Sequence, residues 1–111
     1  MGELPDFERR IERLRTRASR GPLSPELCAE IERALDEGYV IALRTDARTY
    51  RLREQLDALA DDVEAAHTTH DVRRLVGERR RLEESARRLR AHLGILRSLA
   101  ARSVAPRPGS T

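Results

Sequence analysis

Lysine and tryptophan are missing from this chain, and phenylalanine, methionine and cysteine occur once each. With aromatics at 3% of 111 residues, a β-sandwich or barrel is excluded, because such sheets draw on aromatic and β-branched side chains. A single cysteine, Cys28, excludes an internal disulfide and any paired-cysteine zinc motif. No apolar run approaches the ~18 residues of a membrane-spanning helix, and there is no signal peptide. The expected location is cytoplasmic, with no membrane partner. The chain also lacks a glycine-rich phosphate loop, a G-x-S-x-G elbow and a nucleophile beside a base. An enzyme is therefore not expected, and no catalytic residue or cofactor is assigned.

What remains is rich in Ala, Leu, Glu, Asp and Arg, the composition of long helices and coiled coils. All 22 basic residues are arginine, and the formal net charge is +3. That small value hides an asymmetry. Residues 21–69 carry 5 Arg against 11 acids, and residues 70–103 carry 10 Arg against 4 acids. Opposed halves of this kind favour segments lying side by side, so a basic pI alone says little about nucleic acid.

Three helices are expected. Asp6 reads as an N-cap, with Phe7, Ile11 and Leu14 at helical spacing up to Ala18. Arg20-Gly21-Pro22 breaks that helix, so residues 1–22 form a short amphipathic element. Ser24-Pro25-Glu26 then opens a second helix with a cap hydroxyl and proline at the first helical position. It runs to about residue 66. Thr68 and Asp71 resemble a capping box, and a third helix is expected from about residue 70 to 103. Residues 104–111, with two prolines, a glycine and a serine, form a tail expected to be disordered. Cys28, in the first turn of the second helix, reads as a small core residue.

A heptad-like period links the two long helices. Leu75, Arg79, Leu82, Ala86, Leu89, Leu93, Leu96, Ala100 and Ser103 alternate spacings of three and four. Ile31, Leu35, Gly38, Ala42, Thr45, Thr49, Leu52, Leu56, Leu59, Val63 and Ala66 answer in the second helix. A connection of a few residues forces these stripes together antiparallel. The expected fold is all-α: a long antiparallel helical hairpin over residues 23–103, coiled-coil-like, with the short N-terminal helix. Two helices bury one stripe each and are marginal alone. The third wall comes either from the N-terminal helix or from a second chain in a dimeric four-helix bundle, and a homodimer is expected.

Three features carry functional expectations. Val40, Leu43, Ala47 and Tyr50 form a second apolar stripe away from the seam, a candidate interface for a sister subunit or another protein. Arg73-Arg74, Arg80-Arg81 and Arg87-Arg88 recur every seven residues as a double row expected opposite the seam, to which nucleic-acid phosphates, a nucleotide or an acidic protein can bind. Glu64 and His67 have the E-x-x-H spacing of di-iron bundles, but the facing positions are Leu, Ala and Arg, so no metal is assigned. The spacing Ser85-x-x-Arg88-x-x-x-His92 resembles part of the cyclic-di-GMP motif of actinobacterial coiled-coil anti-sigma factors. In this sequence the motif's acidic positions are Arg81 and Leu96 and its glutamine position is His92, so the carboxylates that recognise guanine are lacking and no family is assigned. The leading expectation is a noncatalytic helical-hairpin adaptor or regulatory protein acting through protein–protein interaction. The alternative is an anion-binding module, for example a cyclic-dinucleotide-responsive regulator, using the paired arginines.

Overall fold

The computed structural model describes residues 2–61 and 68–104. Three helices follow in order, α1 (Glu3–Ala18), α2 (Pro25–Asp61) and α3 (Thr68–Val104), with no strand among the described residues. At 37 residues each, α2 and α3 run for roughly 55 Å. The molecule measures 71 × 28 × 16 Å, with a radius of gyration of 19.7 Å; a compact chain of this length would have about 13 Å. It is a flat rod of the all-α hairpin class that the heptads require.

The caps follow the chemistry of the breaks. Ser24 Oγ accepts the Leu27 amide at 3.1 Å, and Pro25 occupies the first helical position, where its missing N–H costs nothing. Gly21 takes φ 153° between α1 and α2, a conformation that L side chains rarely adopt. The start of α1 differs from expectation. The helix begins at Glu3, with Gly2 as its N-cap and no side-chain cap bond. Pro5 is tolerated in the first turn because amides there have no intrahelical acceptor. Asp6 is thus inside the helix, paired with Arg9. α3 starts at Thr68, two residues early, and ends at Val104. Residues 105–111 of the expected tail, seam positions Val63 and Ala66, the Glu64 and His67 pair, and the side chains of Thr68 and Ser103 lie outside what is described.

The seam is built as the spacing requires. Ile31, Gly38 and Leu52 of α2 and Leu75, Leu89, Leu93 and Leu96 of α3 are buried. Leu35, Ala42, Thr45, Thr49, Leu56, Leu59, Leu82, Ala86 and Ala100 are half-buried. Thr45 and Thr49 satisfy their hydroxyls within α2 by donating to the carbonyls of Ile41 and Thr45, each at 2.9 Å. Arg79, expected in the seam, is exposed, with Nε 3.5 Å from the Glu83 carboxylate. Its long stem carries the charge out to water.

The third wall comes from α1 of the same chain. Phe7, Ile11, Leu14 and Ala18 are all buried, and they join Leu27, Ile31, Ala34, Ile41, Leu89, Leu93, Leu96 and Leu99 in one core. The close approach depends on Gly38. A Cβ there would lie 2.8 Å from Phe7 Cζ and 2.6 Å from Leu93 Cδ2. α1 covers only the half of the hairpin next to its own connection to α2. Among the described residues, the half towards residues 61 and 68 has two helices and no third.

Candidate functional site

The apolar stripe of α2 is bare. Val40 is 48% exposed, Leu43 70% and Tyr50 62%, with Tyr39 beside them at 43%. Ala47 is exposed as well. These four are the exposed large hydrophobics among the described residues, so they concentrate on one edge of one helix. α1 does not cover them, because it docks on the face defined by Leu27, Ala34 and Ile41, roughly a third of a turn or more away.

All six paired arginines are exposed, but they do not form one equivalent row. Arg74 lies 4.0 Å from Asp71 and 3.9 Å from Glu78. Arg87 donates to Glu84 at 2.8 Å. Arg88 turns to α1, where its Nε is 3.2 Å from Glu8 Oε2 and its Nη2 contacts Oε1. Among the described residues Arg73, Arg80 and Arg81 have no ion-pair partner. Arg81 stands apart from Arg73 and Arg80 because it lines the groove between α2 and α3.

That groove was not legible as a site in the sequence. It is an open furrow of about 420 Å³ lined by Arg48, Arg51, Leu52 and Gln55 of α2 and Glu78, Arg81, Leu82 and Ser85 of α3. A second depression shares Arg48, Leu82 and Ser85 with it and reaches Gly2, Glu3, Leu4 and Pro5. A third shares Gln55 with it and extends to Leu59, Asp71, Arg74 and Leu75. The furrow is therefore the same groove that α1 fills, continued past the N-terminus of α1. Arg48 and Arg51 have no ion-pair partner among the described residues. The signal in the sequence was the Arg48, Arg51, Gln55 spacing, one helical face beside the seam, which becomes a rim only once the partner helix is placed.

Where α1 occupies the groove, the charges pair. Arg17 meets Glu30 at 2.7 Å, Arg10 meets Glu37, and Glu3 meets Arg44 at 2.7 Å. Glu8 is the most enclosed of these groups, held by Arg88 and by His92 Nε2 at 2.7 Å. Burial pushes its carboxyl up, but the hydrogen bonds and charges of Arg88 and His92 outweigh this and hold it below its ordinary value. His92 Nδ1 is buried without a hydrogen-bond partner among the described residues.

Cys28 is half-buried and free. Among the described residues no group of three His, Cys, Asp or Glu converges, and no helix is long and apolar enough to cross a membrane. No protein-family model matches the chain, and no curated protein or solved structure matches it.

Proposed function

We propose that this chain is a noncatalytic helical-hairpin adaptor or regulatory protein of the cytoplasm, working by protein–protein interaction, and that a second copy of itself is the occupant of its apolar stripe. The observation that carries this is the concentration of Tyr39, Val40, Leu43 and Tyr50, each more than two-fifths exposed, on one edge of α2. Isolated exposed apolar residues need no explanation, whereas an ordered stripe at heptad spacing does.

The stripe is complementary to itself. Antiparallel pairing about a twofold axis between Leu43 and Ala47 sets Val40 against Tyr50 and Leu43 against Ala47, with Arg33 facing Asp57. Asp36 then faces Glu54, a like pair that weakens the contact. The apolar part is only about three turns long, which falls short of the ~1,200 Å² of a stable interface. The dimer is accordingly weak and reversible. Sedimentation equilibrium tests this with the wild type and Leu43→Glu/Tyr50→Glu. A concentration-dependent mass approaching twice the monomer in the wild type, and a helical monomer in the variant, is expected. Equal masses for the two proteins would reject self-association through the stripe.

The polyanion reading draws on Arg73 and Arg80, which are exposed and have no ion-pair partner among the described residues. Phosphate binding there would weaken log-linearly with salt, and contact through the apolar stripe would not.

A further inference from the structure

The open furrow beyond α1 has the dimensions, floor and charge of a second helix-binding site. We infer that it docks an acidic amphipathic helix of another protein, laid end to end with α1 along the hairpin. The inference rests on the protein-binding reading above but not on self-association, since the furrow and the apolar stripe are different faces.

The occupied half of the groove shows what such an occupant needs. α1 places Phe7, Ile11, Leu14 and Ala18 on the floor, and its flanks pair with the rims. Along α2 the rim changes sign. Beside the C-terminal end and the middle of α1 it offers Glu30 and Glu37, which take Arg17 and Arg10; beside the N-terminus of α1 it offers Arg44, which takes Glu3. Past that point α2 continues with Arg48 and Arg51, and α3 supplies Arg81 across the furrow. These three cations have no ion-pair partner among the described residues. The acids on this stretch, Glu78 and Asp71, are both already engaged by Arg74.

The floor continues as well. Leu52 and Leu75 are buried at its base, and Leu59 and Leu82 are half-buried. From Arg48 to Leu59 the open furrow runs for roughly 17 Å, against ~24 Å for the 16 residues of α1. A helix of about three turns therefore fits, with apolar residues at the α1 spacing and carboxylates on its flanks. A small phosphate-bearing molecule would use the arginines and leave the leucine floor unused.

The test uses the full chain and a labelled synthetic peptide of about 12 residues, with Phe, Ile, Leu and Ala at the α1 spacing and glutamate at the flanks. Fluorescence anisotropy is expected to show saturable binding that falls at least tenfold in Arg48→Glu/Arg51→Glu/Arg81→Glu. The outward-facing variant Arg73→Glu/Arg80→Glu should bind as the wild type does. A lysine-flanked peptide should show the reverse preference and bind the triple variant, a gain that loss of folding cannot produce. Circular dichroism checks helicity, and the glutamine triple variant replaces the glutamate one if the latter unfolds. The inference is overturned if the acidic peptide fails to bind at millimolar concentration, or if the triple variant binds it unchanged. It is equally overturned if a peptide with serine at the apolar positions, or inorganic polyphosphate, binds the same three arginines as well as the amphipathic peptide. The furrow would then be an anion site.

Discussion

Gly38 occupies a seam position that the heptad spacing identifies, but the reason glycine stands there is tertiary: the Phe7 ring and Leu93 leave no room for a Cβ. Gly38→Ala improves helix propensity by up to about 1 kcal/mol and overpacks a full core at a cost of about 1–3 kcal/mol. The expected net result is destabilisation in urea unfolding; a stabilised variant would mean that α1 sits further out. Glu8 makes a second residue-scale prediction. Its carboxyl pKa is lower in the folded chain than in the unfolded one. Its contribution is therefore fully present above the unfolded value and is lost as pH falls through the folded one. Glu8→Gln should flatten that part of the acid dependence of stability, read by urea unfolding across the acidic range. Glu8 was unreadable beforehand, because Arg88 and His92 lie 80 and 84 residues away.

At the scale of the element, α1 acts as a clamp. Its four buried residues follow a pattern that the sequence displays plainly, as do the break at Arg20-Gly21-Pro22 and the cap at Ser24. The paired arginines show where such reading stops. A period of seven leaves them exposed, as expected, but Arg74, Arg81 and Arg88 border the groove instead of standing opposite the seam, and the period cannot separate Arg88, which α1 recruits, from Arg81, which rims a furrow. Side-chain partners depend on a third helix whose docking direction has no local signature. Phe7→Ala removes the ring at the centre of the clamp and should cost about 3–5 kcal/mol. Because α1 then loosens, far-ultraviolet ellipticity should fall only slightly while thermal stability drops. An unchanged melting temperature would place α1 off the hairpin.

For the whole molecule, one half is a three-helix core and the other a two-helix hairpin. Amides of α2 beyond about Thr49 should exchange at lower opening free energies than those between Ile31 and Ile41, since fewer buried apolar contacts protect them. Hydrogen exchange followed by mass spectrometry reads this difference, and addition of the acidic peptide should shrink it. The most direct test of function concerns the stripe, and the single native cysteine supplies it. A nitroxide on Cys28 would sit 17 residues from the twofold axis of an antiparallel pair, separating the two labels by roughly 50 Å along the helices. A nitroxide on Asp46→Cys in a Cys28→Ser background would sit almost on the axis. Antiparallel self-pairing predicts a long intermolecular distance for the first and a short one for the second by pulsed electron resonance. Short distances for both, or no intermolecular coupling at any concentration, would contradict it.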